Sequence, residues 1–301
     1  MKLVITGATS MLGTALVEVA LKQKDEIYAI IRPDTNRRDR LPISENIHLI
    51  EKEIDQLQKI DNLPDDCDCF YHLAWCGTEK STRDHPYIQA QNILFTLQAV
   101  ELARKCGCNA FLGAGSQAEY GVAEGIIDEK TKCEPASAYG ISKLAAGRLS
   151  RKLCDGYNIK HIWARIFSVY GRYDSKDSLI SFAIRRFINK EFASFQSNGE
   201  QLWDYLYEKD AGHLLWNLMN NSNQSDVFNV ASGHVRTIRE YIRVIAEFLD
   251  AKELYSFSNK ETWGLQADTT KLRDVTKIEV EDSFNNDISA IINSFQIDTG
   301  E

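Results

Sequence analysis

Tyr139-Gly140-Ile141-Ser142-Lys143 is the sharpest chemical pattern in the chain. A tyrosine and a lysine four residues apart on a helix share one face, one turn from each other. A phenol with an ordinary pKa near ~10 is a poor acid or base at neutral pH. A neighbouring ammonium favours the phenolate and brings that pKa down. Upstream, Phe111 to Ser116 reads as an apolar strand that exits through Gly115, so Ser116 stands at a strand's carboxyl end. A hydroxyl there could share a substrate carbonyl oxygen with Tyr139. A third feature opens the chain, where the β-branched run Lys2 to Ile5 breaks into Thr6-Gly7-Ala8-Thr9-Ser10-Met11-Leu12-Gly13. Strand, glycine turn and helix in that order form a cradle for a pyrophosphate at a helix N-terminus. Gly7 would take a backbone angle closed to other residues, and Gly13 would let the helix pack close to the strand. Each feature alone has a plain alternative: a surface helix pair, a capping serine, a tight turn that binds nothing. Together, in this order, they point to dinucleotide-dependent chemistry.

The elements that must position these residues alternate. Strands are predicted at Glu26–Ile31, Ile47–Ile50, Cys69–Trp75, Ala110–Ala114 and Ile159–Phe167, with helices at Thr14–Lys24, Tyr87–Lys105 and Ser137–Asp155. Such alternation implies an α/β fold with a doubly wound parallel sheet, whose ligands sit at the carboxyl ends of the strands. After Phe167 the elements become less regular: a helix near Ser178–Lys190, short strands near Phe192 and Phe228, and a helix from Ile238 to Leu249. This predicts a dinucleotide domain over 1–167 and a smaller C-terminal α/β lobe over 168–301, with segments able to cross back.

Composition narrows the function. The chain has 301 residues, 44% of them hydrophobic, enough for a substantial core. A net charge of −8 argues against nucleic acid and anionic membrane surfaces as partners. No apolar run approaches the ~20 residues that cross a bilayer. Met1-Lys2 leads straight into the first strand, so no signal peptide is expected. Seven cysteines at irregular spacing read as free thiols in a reducing, cytoplasmic setting, and lack the paired spacing of a zinc site.

Nearly the whole chain resembles the extended short-chain dehydrogenase/reductases, the NAD(P)-dependent sugar-nucleotide epimerase/dehydratase/reductase family. The resemblance runs through Thr6-Gly7-Ala8 with Gly13, His72-Leu73-Ala74, Asn92, and Gly113 to Ser116 followed by Glu119-Tyr120-Gly121. It continues through Pro135, Tyr139 to Lys143, Arg165 to Gly171, Trp203-Asp204-Tyr205 with Tyr207 and Asp210, Phe228-Asn229-Val230, and Ala267-Asp268 with Lys271 and Leu272. The resemblance implies a Rossmann sheet. In it, Tyr139 would exchange the proton at the sugar oxygen, Lys143 would bind the nicotinamide ribose and lower the tyrosine pKa, and Ser116 would hydrogen-bond the same oxygen. Gly7, Thr9, Ser10, Met11, Leu12, Gly13, Arg32, Leu73, Ala74, Trp75, Asn92 and Ile166 would frame the dinucleotide with Tyr139 and Lys143. Gln117, Ser168, Trp203 and Asp204 would meet the sugar nucleotide. A homodimer through the helices beginning near Tyr87 and carrying Tyr139 is the family habit.

Departures from the family pattern narrow the reaction. Gln117 and Ala118 stand where 4,6-dehydratases carry an Asp–Glu acid/base pair, and Ala118 stands where GDP-fucose synthases carry a cysteine. What remains is hydride and one proton at a carbonyl. Arg32, with Arg37 and Arg38 beyond it, stands where an NAD enzyme usually carries an acid, which favours NADP(H) while allowing NAD(H). Trp203 replaces a common arginine and Ser168 a common asparagine. The expected reaction is NADPH-dependent reduction of the C4 ketone of a nucleotide-linked 4-keto-6-deoxyhexose. The alternatives are an NAD-dependent 4-epimerase and a dinucleotide-binding regulatory module without catalysis.

Overall fold

A computed structural model describes residues 1–123 and 125–298. The first run of strands and helices is β1 (Lys2–Thr6), α1 (Met11–Lys22), β2 (Glu26–Ile31), β3 (Ile47–Glu51), β4 (Cys69–His72), α2 (Pro86–Lys105), β5 (Ala110–Ser116), β6 (Ile126–Ile127), α3 (Ala138–Tyr157) and β7 (Lys160–Ile166). The second is β8 (Ser168–Tyr170), α4 (Leu179–Ile188), β9 (Ala193–Phe195), β10 (Leu202–Tyr207), α5 (Glu208–Asn221), β11 (Asp226–Val230), β12 (Val235–Thr237), α6 (Ile238–Phe248), β13 (Tyr255–Phe257), β14 (Gln266–Ala267), α7 (Thr270–Thr276) and α8 (Phe284–Asp298).

Seven parallel strands form the central sheet, in the order β11-β7-β5-β4-β1-β2-β3. Chain progress reverses between β1 and β4, and this switch point opens a crevice at the strands' carboxyl ends. The crevice is braced by a Thr6 hydroxyl to His72 Nδ1 bond of 2.9 Å. Burial holds the His72 imidazole neutral, with its pKa down at about 3.

Apolar β-branched runs account for the sheet. The β1 side chains from Leu3 to Ile5 are fully buried, alternating between the two faces. Leu3 and Ile5 join Leu16, Leu214 and Leu218 under α1 and α5, whereas Val4 joins Phe70, Phe111 and Val100 under α2. A separate apolar cluster, with Phe187, Tyr241, Ile245 and Ile288, holds α4, α6 and α8 together. Helix starts follow from local chemistry. Ser10 caps α1 by accepting the Gly13 N–H at 3.1 Å, Ser137 caps α3 through Gly140 at 3.1 Å, and Pro86 opens α2.

Helix α1 begins at Met11, three residues before the expected Thr14, because Ser10 caps it, and two placements differ further from the sequence reading. The strand expected over Cys69–Trp75 ends at His72, because Leu73, Ala74 and Trp75 leave the sheet to line the crevice. The strand near Phe228 is the seventh of the central sheet, paired with β7 from Asp226 to Val230. Segments beyond 168 thus complete the first layer: β11 edges the sheet, and α5 packs on α1.

Gly7 has φ of 73°, a left-handed angle that turns the chain out of β1. A Cβ on Gly13 would collide with the Gly7 carbonyl oxygen and the Ala8 backbone, so only glycine lets α1 start this close to β1. Gly13→Ala is expected to lower stability by about 1–3 kcal/mol, since backbone rather than a mobile side chain must move. A shifted urea midpoint at constant slope would register it; an unchanged midpoint would mean that α1 moves freely.

Candidate active site

The carboxyl ends of β1, β4, β5 and β7 open onto a cleft of about 1120 Å³ whose wall includes Ser10, Met11, Leu12, Ser116, Gln117, Tyr139, Lys143, Ile166, Ser168 and Trp203. A second recess of about 570 Å³ shares Ser10, Leu73 and Trp75 with it and extends past Gly7, Thr9 and Ala74 to Arg32. Most residues singled out from the sequence therefore meet along one surface. Three do not line it. Gly13 works by packing. Asn92 is buried and ties the segment after β4 to α2, donating to the Cys76 and Ile88 carbonyls at 3.0 Å and accepting the Cys76 N–H at 2.8 Å. Asp204 is fully buried, its carboxylate accepting from Ser232 N and Oγ and from Gly233 N at 2.7–2.9 Å. It shapes a turn of the second lobe from behind the cleft.

Helix α3 presents Tyr139 and Lys143 one turn apart, both turned inward. Lys143 is 3% exposed. Its ammonium donates to the Ala114 carbonyl at 2.6 Å and lies 3.6 Å from the centre of the Trp75 indole. Burial pushes its pKa down to about 7, which Glu119 opposes and Arg83 reinforces. Tyr139 is pushed up, first by burial and then by the Glu119 charge, while the Arg83 guanidinium and a hydrogen bond with Ser116 pull it back. Arg83 lies 4.4 Å from the centre of the Tyr139 ring, and Trp75 meets the same ring edge-on at 6.0 Å. The Ser116 hydroxyl accepts the Ala118 N–H at 3.2 Å as a cap, and Ser116 lines the cleft beside Tyr139.

The groove over α1 fits a dinucleotide. In the first turn, the Gly13 and Thr14 amides bond to Ser10 while Met11 and Leu12 face the cleft. A Cβ on Gly7 would fill the space against the Ala74 backbone, within 2.8 Å of its nitrogen. At the far end the recess gathers Arg32, Arg37 and Lys52 with the apolar Ile54 and Leu57. Arg38 points elsewhere and pairs with Glu51. Lys52, Ile54 and Leu57 carry no recognisable motif, and only the parallel pairing of β2 with β3 brings them there. Arg83 was equally silent in sequence. Its loop is anchored by Gln89, whose amide donates to Gly77 O and Thr82 O, and by Asp84, which accepts the Ala138 N–H at 2.6 Å.

On the sugar side, the Trp203 indole N–H donates to Ser168 Oγ at 2.8 Å, and its ring lies 5.3 Å from Trp263. The two departures from the family pattern are thus bonded to each other. No group of three or more histidine, cysteine or acidic side chains suited to a metal occurs among the described residues.

Comparison with known proteins accords with this geometry. The profile of the NAD dependent epimerase/dehydratase family matches residues 3–231. The chain is 24% identical to an uncharacterized UDP-glucose epimerase, YtcB, of Bacillus subtilis (strain 168), over 98% of this chain and 99% of that one. It is 25% identical to dTDP-6-deoxy-L-talose 4-dehydrogenase (NAD(+)) of Aggregatibacter actinomycetemcomitans, over 88% of this chain and 99% of the relative. The fold is shared with UDP-N-acetylglucosamine 4-epimerase from Methanobrevibacter ruminantium M1, solved with UDP-N-acetylmuramic acid, at a TM-score of 0.89, 21% identity and 99% coverage of both chains. The chain belongs to the NAD dependent epimerase/dehydratase family, the extended short-chain dehydrogenase/reductases that act on sugar nucleotides.

Proposed function

We propose that the chain interconverts hydroxyl and ketone at C4 of a nucleotide-linked hexose, and does so as a 4-epimerase. The observation that carries this reading is the meeting of Ser116, Tyr139 and Lys143 on a cleft wall whose next two residues, Gln117 and Ala118, offer no second acid or base. Such a centre handles one proton at one oxygen. A bound nicotinamide dinucleotide supplies the hydride acceptor and donor. Tyr139 takes the proton from the C4 hydroxyl and returns it, Ser116 holds that oxygen, and the Lys143 ammonium favours the phenolate. The UDP-sugar epimerases among its relatives and structural neighbours support two-way transfer over the net reduction expected from sequence.

Net 4-ketoreduction with NADPH is the second reading. It rests on Arg32, Arg37 and Lys52 around the recess at the β2 end, where a ribose 2′-phosphate would find cations. The family name and the NAD(+) enzyme of Aggregatibacter favour NAD instead. In either reading the dinucleotide lies over α1 and the sheet. The segments after Phe167, with Ser168 and Trp203 foremost, hold the substrate.

Two further features complete the proposal. Tyr87 and Leu94 on α2 and Ile141 and Leu149 on α3 are exposed apolar side chains on packed neighbouring helices, which supports a homodimer through these helices. The seven cysteines are all free, as suits a reducing cytoplasm. No helix among the described residues is long and apolar enough to cross a membrane.

Purified protein with UDP-hexoses and substoichiometric NAD should yield the C4 epimer without net change in reduced-nicotinamide absorbance. Stoichiometric loss of NADPH on a nucleotide-linked 4-keto-6-deoxyhexose would replace the epimerase by the reductase. Tyr139→Phe should bind dinucleotide normally and lose at least about 10²-fold in turnover; near-normal turnover would remove the proposed proton carrier.

Lys143 also leaves a stability signature. Its folded pKa of about 7 lies below the ordinary 10.5, so between those values the unfolded chain binds more protons. Stability should therefore rise with pH across that window, and the cost of the buried ammonium is complete below it. Lys143→Met should stabilise the dinucleotide-free chain by about 1–4 kcal/mol at pH ~6, fade toward alkaline pH, and abolish turnover. Parallel denaturation curves for the two chains at all pH values would refute the buried ammonium.

A further inference from the structure

Glu119 lies outside the proton-carrying pair, yet its carboxylate touches the elements that hold it. It is fully buried. Its Oε1 accepts the Ser116 backbone N–H at 2.9 Å and the Trp163 indole N–H at 2.9 Å; its Oε2 accepts Arg165 Nε at 3.0 Å. Three donors, one of them a guanidinium, converge on two oxygens; a carboxylate accepts all three, whereas an amide would turn a donor toward one of them. Arg165, itself 7% exposed, donates onward to the Tyr120 hydroxyl at 3.0 Å, which donates to Asn229 Oδ1 at 2.6 Å. The chain of bonds thus runs from the Ser116 turn through β7 to β11.

We propose that Glu119 is a positioning residue for proton transfer: it fixes the Ser116 backbone at the reacting centre and sets a buried negative charge behind the Tyr139 phenol. This rests on the reading of Tyr139 and Lys143 as the proton-carrying pair. The geometry confines the charge to the right place, since Ser116 is at once the Glu119 donor and a neighbour of Tyr139 on the cleft wall. The surrounding charges are few. Arg83 faces Tyr139 and Lys143 from the segment before α2, and His72 faces Lys143 from β4 as a neutral ring. Arg165, the Tyr120 hydroxyl and Cys133 lie around the carboxylate itself. Glu119 is thus the anion felt by both members of the pair, raising the proton affinity of each.

A structural ion pair alone would alter stability and leave the titration of Tyr139 in place. The test is the tyrosinate absorbance of the full chain saturated with NAD, measured across pH as the difference between each protein and its Tyr139→Phe counterpart. Glu119→Gln should lower the Tyr139 midpoint, an increase of about tenfold in the ionisation constant, because the opposing anion is gone. Glu119→Asp, which keeps the charge, should titrate close to the parent. Coincident midpoints for the parent and Glu119→Gln would overturn the proposal. Should Glu119→Gln fail to fold, Glu119→Gln/Arg165→Met removes the acid and its counter-charge together; a midpoint below the parent's supports the proposal and one at or above it overturns it. Full turnover by Tyr139→Phe would instead remove the catalytic reading, a failure separable from any shift caused by Glu119.

Discussion

A buried ammonium is the constraint around which this molecule is arranged. Lys143 carries its charge into a space closed by Trp75, Ala114 and the Tyr139 ring, with one carbonyl as its hydrogen-bond acceptor among the described contacts. A lysine shut away from water tends to lose its proton. Proton transfer by the neighbouring phenol requires that it keep it. The fold meets that demand without direct salt-bridging, which would hold the ammonium away from a ribose. The Glu119 carboxylate sits behind Ser116, tied into its own network, and raises the Lys143 proton affinity through space. Helix α3 must therefore lie close against β5 and β7.

The means of that approach is the Trp163 indole. It fills the gap between β7 and α3, and glycine lies at three of the positions its ring presses. Cβ atoms on Gly113, Gly115 and Gly147 would all meet Trp163, the last within 2.6 Å of the ring. Interiors are packed densely enough that one methyl at these positions would push α3 outward. The same indole donates to Glu119. One side chain thus sets both the distance between Lys143 and Ala114 and the orientation of the carboxylate beneath Ser116.

Much of this was readable in order along the chain. The apolar runs marked every strand of the main sheet through β7, and the Tyr139–Lys143 spacing marked a helix face that turns to the cleft. What escaped depended on pairing across distance. The Phe228 strand carries no sign that it belongs to the main sheet, since a short apolar run looks the same in either lobe. Asp204 reads as a ligand contact because it follows Trp203, but strand alternation sends its carboxylate inward, to the amides of Ser232 and Gly233. Asn92 reads as a cofactor contact and instead braces the Cys76 segment. Glu119 stands one position past the missing dehydratase pair, with no sign in sequence of what it touches. Its place under Ser116 follows from the capping box of the turn Gln117–Glu119, and its charge matters because β7 delivers Arg165 and Trp163 to it.

The choice between epimerisation and net reduction is then a property of the two ends of the cleft, because the centre performs the same proton transfer in both. An epimerase must retain its dinucleotide through two hydride transfers while the ketone turns within its pocket. A reductase must release the dinucleotide at every turnover and hold the sugar one way. At one end, Arg32, Arg37 and Lys52 line the recess, and in the proposed reading they would set how tightly an adenosine with or without a 2′-phosphate is gripped. At the other, the Trp203 indole bonded to Ser168 replaces a flexible arginine by a rigid plane backed by Trp263. A plane restrains position through contact area and leaves rotation about its normal cheap, whereas a guanidinium fork fixes both. A substrate group held against Trp203, as proposed, would therefore be loosely oriented, which suits a pocket in which a ketone must present both faces.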